Sequence, residues 1–209
     1  MFEAQGNESK WMTMERQVDS TNEPQLEDIC RATAVVGIDL QPVFLQVVTN
    51  GEELRRRCSL LLASANLVGI KIHLTEQVPE KLGGCDDELL ALAPSASRFK
   101  KSTFSAFGAD GFEESLRVAG IEHLLIAGVE TSICVYQTAL DARHYGFDVT
   151  ILTDCVSCRR PSDGEWALKA LQDADCHTLA MESVLYSLLG TADNPLFRDF
   201  SKLVKKYDA

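Results

Sequence analysis

Short apolar runs alternate with helical patterns from residue 34 onward, and this alternation limits the possible folds more than any other feature of the chain. "AVVGID" (34–39) reads as a buried strand. Leu54, Cys58, Leu61, Leu62 and Ala65 then recur on one helical face, with Gly69 set to end the helix in the left-handed region. "IKIHLT" (70–75) is a second strand, and a weaker third lies near "SASRFKK". In "GFEESLRVAG", Phe112, Leu116 and Ala119 share a helical face with Gly120 as the stop, just ahead of the strand "HLLIAG" (123–128). "DVTILTD" (148–154) and "CHTLAM" (176–181) are the last two strands. Between them Ser162 and Glu165 read as a capping box for a helix through Trp166 and Leu171. The C-terminal "NPLFRDFSKLVKKY" reads as an added helix with an Asn cap, Pro in the first turn and lysines in the last. Strands joined by crossover helices pair in parallel, so the class is α/β: a doubly wound sheet with helices on both faces. Ligands of such sheets bind beyond the carboxyl ends of the strands, which makes the residues just after each strand the place to look for chemistry.

Charge and composition narrow the partners. With 31 acidic against 20 basic side chains the net charge is −11, which repels phosphate backbones and anionic surfaces, so no nucleic acid is expected. No apolar run approaches the roughly 20 residues that span a bilayer. No signal-peptide stretch opens the chain, so no membrane association and a cytoplasmic location are expected. Neither a G-x-G-x-x-G nor a Walker A loop occurs, which leaves nucleotide binding without support. The seven cysteines, spread from Cys30 to Cys176, fit a reducing compartment better than a disulfide framework. Residues 1–30 carry Glu3, Glu8, Glu15, Asp19, Glu23, Glu27 and Asp28 against Lys10 and Arg16, with too little apolar surface to offset the entropy of ordering it. They read as a mobile acidic extension ahead of one domain over 31–209.

Three of the cysteines fall within "GVETSICVYQTALDARHYGFDVTILTDCVSC" (128–158). Cys134 follows a strand and sits in the first turn of the next helix, where free N–H groups and the macrodipole favour a thiolate, so a lowered pKa and a nucleophile are expected. Cys155-Val-Ser-Cys158 is the rival, as a redox pair or half of a metal site. No second Cys-x-x-Cys occurs, and His73, His123, His144 and His177 lack metal-site spacing, so neither a metal nor any other cofactor is expected. Asp39 ends the first strand, a position that suits either a loop cap or a site carboxylate. Lys101 leads into "KSTFSAF" (101–107), and an ammonium pointing into the same cleft would hold Asp39 ionised and help the thiolate form.

"GIDLQPVF" (37–44), "LTEQVPEKLG" (74–83), "KSTFSAF" (101–107), "GVETSICVYQTAL" (128–140) and "LTDCVSCR" (152–159), in that order and spacing, resemble the isochorismatase-like cysteine hydrolases, and most of all the isochorismatase domain-containing branch. The resemblance implies a six-stranded parallel sheet in a Rossmann-like three-layer sandwich, and a catalytic triad of Asp39, Lys101 and Cys134. It also implies a cis peptide between Val129 and Glu130, with the Glu130 and Cys134 amides forming an oxyanion hole. Nicotinamidase members carry an Asp-x-His…His metal site after the second strand, whereas "TEQVPEKLGG" here has no histidine. Members that cleave the vinyl ether of isochorismate lack a cysteine at the nucleophile position, so Cys134 favours hydrolysis of a small amide or related acyl compound. Gln41, Phe44, Gln77, Phe104 and Thr131 are the candidate pocket wall.

Two other functions fit parts of the sequence: a ligand-binding or scaffold member of the same fold, and a thiol redox protein using Cys155 and Cys158. A homo-oligomer, a dimer or larger, is expected. Phe197, Phe200, Val204 and Tyr207 stripe the last helix, and Leu185, Leu188 and Leu189 stripe the one before it, more apolar surface than the sheet needs.

Overall fold

The structure, a computed structural model, describes residues 25–207. Its strands are β1 (Thr33–Ile38), β2 (Lys71–Gln77), β3 (Ser97–Lys101), β4 (His123–Val129), β5 (Asp148–Ser157) and β6 (His177–Leu179). The helices are α1 (Leu26–Arg31), α2 (Pro42–Leu45), α3 (Gly51–Val68), α4 (Pro79–Leu82), α5 (Asp87–Ala91), α6 (Phe112–Val118), α7 (Tyr136–His144), α8 (Pro161–Asp173), α9 (Met181–Leu189) and α10 (Phe197–Tyr207). The strands form one six-stranded sheet in the order β3-β2-β1-β4-β5-β6, every neighbouring pair parallel. The chain winds outward from β1 in one direction, then returns to β4 on its other side.

Side chains along β1 alternate between two cores, which is why its sequence is apolar throughout. Val35 packs with Leu125 and Ala127 of β4, with Leu61 and Leu62 of α3, and with Leu185 and Phe200 of α9 and α10. Ala34, Val36 and Ile38 face the other way, onto Phe112 and Leu116 of α6, Ala139 of α7 and Leu171 of α8. Among the described residues no helix is long and apolar enough to cross a membrane.

Four local expectations need correction. Helix α8 starts at Pro161 with Arg160 as its cap and no side-chain capping bond, so the Ser162–Glu165 box does not form; Pro at the first position sets the helical φ ahead of Ser162. Asn194 does not cap α10 directly. Its Oδ1 accepts from Leu196 N–H at 2.9 Å in a turn that precedes the helix. Strand β5 runs past Asp154 to Ser157, so Cys155 lies inside a strand. The acidic extension expected over 1–30 falls, for residues 1–24, outside the described residues; the remainder enters α1, whose Cys30 is buried in the core, so the folded chain begins ahead of residue 31.

Helix α10 also behaves differently from its reading as a spare apolar surface. Phe200 is fully buried and Phe197, Leu203, Val204 and Tyr207 pack on the same core, so the stripe completes this chain's own fold. Phe200→Ala should therefore cost about 3–5 kcal/mol, read as a lowered urea midpoint with no change in molecular mass by light scattering. A change in assembly at unchanged stability would overturn this placement.

Two buried histidines tie stability to pH. His73 stacks on Phe99 and meets the Ser115 hydroxyl at 3.0 Å, and His123 meets that of Thr150 at 2.9 Å. Burial lowers both to about 4. By about pH 7.5 few of these sites are protonated in either the folded or the unfolded chain. As pH falls below that, the unfolded chain takes protons that the folded one refuses until about 4, so stability drops across this window by up to about 3 kcal/mol per histidine. Urea midpoints at pH 7.5, 6.5 and 5.5 should fall about threefold more over the second interval than over the first; a flat second interval would contradict the assignment.

Candidate active site

The sheet order puts β1 and β4 side by side while their connections leave in opposite directions, which opens a crevice at their carboxyl ends. Ile38 pairs with Gly128 there. Gly128 has φ +114° and a Cβ on it would fall 2.0 Å from the Ile38 carbonyl oxygen, so only glycine permits this approach. The peptide between Val129 and Glu130 is cis. Residues Thr131–Val135 then form one wide π-helical turn that runs into α7 and carries Cys134.

Asp39 follows β1 directly and has φ +50°. Its N–H is held by Thr75 at 3.2 Å, and the Thr75 hydroxyl donates to its Oδ1 at 2.7 Å. Gln77 and Lys101 are the last residues of β2 and β3 and pair with each other across the sheet. From there the Lys101 ammonium crosses the end of β2 and donates to Asp39 Oδ2 at 2.6 Å, Gln77 Oε1 at 2.5 Å and Thr103 O at 3.2 Å. The side chains of this ion pair are 0% and 1% exposed.

The Cys134 thiol, 8% exposed as a residue, lies beside the Asp39 carboxylate and the Glu130 backbone. Burial, and after it the Asp39 charge, push the thiol up to about 12, against a smaller opposing pull from Lys101. This reverses the expected lowering: the resting group is a protonated thiol. The helix terminus favours a thiolate, but burial and the neighbouring carboxylate outweigh it.

The five candidate wall residues separate into two groups. Gln41 is fully buried; its Oε1 accepts from Gln77 N–H at 2.6 Å and its Nε2 donates to the carbonyls of Gln77 and Gly83 at 3.1 and 2.5 Å. With every polar atom engaged, it fastens the loop after β2 instead of facing a ligand. Gln77 is likewise committed, its Oε1 to Lys101 and its Nε2 to Ser102 O at 3.1 Å. Thr131 is buried and Phe44 half-buried against the core, while Phe104 is 53% exposed beside the ammonium's loop. The thiols of Cys155 and Cys158 have different neighbours. Cys155 meets Cys58 in the core, and Cys158 donates to Arg160 O at 3.0 Å and packs on Gly164. Among the described residues no group of three or more His, Cys, Asp or Glu side chains is placed to hold a metal ion.

Three residues that sequence reading did not single out complete the arrangement: Thr75 on Asp39, Gly128 at the strand contact, and Arg159 on Glu130. Arg159 donates to both Glu130 oxygens, from Nε at 2.7 Å and from its backbone N–H at 3.0 Å. Beside this pair opens a cleft of about 350 Å³ lined by Glu130, Ser132, Ile133, Arg159, Arg160 and Asp163. Thr75 was within the quoted "LTEQVPEKLG", where its position level with Asp39 could have marked it.

A six-stranded parallel α/β fold with a thiol, a carboxylate and an ammonium gathered at its switch point defines the class of protein. The Isochorismatase domain model matches residues 33–183, and the chain belongs to that family, which is of hydrolase type. Isochorismatase domain-containing protein 2 of Xenopus laevis is 28% identical over 174 residues, covering 83% of this chain and 84% of that protein. The protein of the same description from Bos taurus is 32% identical over 168 residues, 80% of each chain. Among solved structures, the MAR1 ribonuclease of Caenorhabditis elegans superposes with a TM-score of 0.79 at 27% identity, over 84% of this chain and 90% of that one.

With its thiol at about 12, Cys134 should react with iodoacetamide slowly at pH 7 and about tenfold faster per unit up to pH 9.5. Mass spectrometry of the Cys134 peptide reads the rate. A plateau already reached near pH 7 would show a resting thiolate instead.

Proposed function

We propose that this chain is a cysteine-dependent hydrolase of a small amide or related acyl compound, working through Asp39, Lys101 and Cys134 without a cofactor. The observation that carries the reading is the buried Lys101–Asp39 pair with the Cys134 thiol beside its carboxylate. Two buried charges add little to stability compared with apolar packing, but together they set an ion-paired carboxylate beside the thiol. The low exposure of Cys134 restricts access to small or narrow groups.

In the first step the S–H proton passes to Asp39 while sulfur bonds to the acyl carbon. The carbonyl π pair moves onto oxygen, which faces the Glu130 and Cys134 N–H groups. The bond from carbon to the leaving nitrogen then breaks; nitrogen keeps the pair and takes the proton from Asp39. A water next gives a proton to Asp39 as its oxygen bonds to the acyl carbon. The C–S bond breaks and sulfur recovers the proton. Lys101 keeps its hydrogen bond to Asp39 Oδ2 and so holds the carboxylate in place. Donors at the oxyanion are worth about 10²–10³ in rate and the base about 10²–10⁴.

Incubation with a mixed library of small amides and esters, read by intact mass, should leave an acyl group on Cys134 of the wild type and none on Cys134→Ser. Asp39→Asn should slow acylation by about 10² or more, and turnover should survive a chelator. No adduct and no product across the library would reject the hydrolase reading in favour of a ligand-binding or scaffold role.

A further inference from the structure

Glu130 has all its parts engaged. Its carbonyl accepts from Ile133 and Val135 N–H at 3.0 and 3.2 Å, anchoring the turn that carries Cys134. Its own backbone lies beside the Cys134 sulfur. Its carboxylate is closed on both oxygens by a single residue, Arg159, 29 positions further along.

Arg159 comes level with Glu130 because of strand register. Strand β5 runs alongside β4 to its end, with Gly128 opposite Val156 and Val129 opposite Ser157, after a register shift beyond Ile126. Two residues further on, the Arg159 backbone and guanidinium meet Glu130 from outside the site. The pair is open to solvent on the Arg159 side, 57% exposed against 13% for Glu130. An ion pair this exposed contributes little to stability. Its geometry, two donors from one residue on two oxygens, instead fixes where the Glu130 backbone sits.

We propose that Arg159 is a positioning residue for the reaction: through the Glu130 carboxylate it holds the Glu130 N–H beside Cys134, where negative charge develops on the substrate oxygen. The inference rests on Cys134 being the nucleophile. Arg159 touches neither substrate nor thiol, and its backbone N–H remains in any variant, so its loss loosens the hole without removing it.

The test uses the full chain and 4-nitrophenyl acetate. Acetylation of Cys134 is followed by mass, and the same samples are alkylated with iodoacetamide, a displacement that develops no oxyanion. Arg159→Ala should acetylate Cys134 about tenfold more slowly, part of the 10²–10³ of a whole donor, while alkylation stays within twofold of wild type. Ethylguanidine should restore most of the acetylation rate by entering the open cleft. Equal losses in both reactions, or no loss in either, would overturn the positioning role while leaving the nucleophile in place. Wild-type protein that takes no acetyl group on Cys134 would overturn the nucleophile assignment, and this inference with it.

Discussion

The contact between the Lys101 ammonium and the Asp39 carboxylate governs the site because both groups lie out of water. Removing each charge from solvent costs several kcal/mol, recovered only where every donor and acceptor finds a partner. Lys101 has three protons to place and three acceptors receive them: Asp39, Gln77 and the carbonyl of Thr103. Asp39 in turn holds Thr75 on its other oxygen. These partners come from the carboxyl ends of β1, β2 and β3 and the loop behind them, so the pair is satisfied only when the strands stand in the observed order. Withdrawing one partner strands a buried charge and typically costs 3–5 kcal/mol. Fold and site are thus specified by one set of bonds.

That arrangement explains the state of the thiol. Were the ammonium the only charge nearby, Cys134 would be driven toward thiolate; the carboxylate between them takes the ammonium's field and adds its own repulsion. The result is a thiol that rests protonated, and in the proposed reaction it gives up its proton only as a substrate carbonyl accepts the electron pair. A protonated thiol is also a poor target for oxidation, since susceptibility follows thiolate character. Burial raises Cys30, Cys85 and Cys176 as well, to between about 11 and 12, so these thiols too rest protonated at neutral pH.

The strands were legible because a sheet covered on both faces demands apolar side chains at consecutive positions, as in "AVVGID" and "HLLIAG". Asp39 and Cys134 were legible because each follows such a run, and Lys101 because it stands at the head of a polar loop. What failed was set by distant neighbours. Gln41 and Gln77 have the composition of pocket residues, and nothing in the sequence shows that backbone groups of two loops would claim their amides. The stripe on α10 looks the same whether it faces its own core or another chain. Ser162 and Asn194 satisfy capping patterns, but Pro161 and the turn at Leu196 moved the helix starts.

Arg159 shows the same limit from the opposite side. In the sequence it is one of two arginines after a cysteine pair, and its neighbours invite a redox or metal reading. Its partner is chosen by the number of residues β5 spends beside β4. Because side chains alternate faces with a period of two, the shift after Ile126 decides which residues past the strand end meet the Glu130 carboxylate. A strand one residue shorter would present Cys158 or Arg160 in its place. The extension of β5 beyond Asp154, absent from the sequence reading, is therefore what connects an exposed arginine to the turn that carries the thiol.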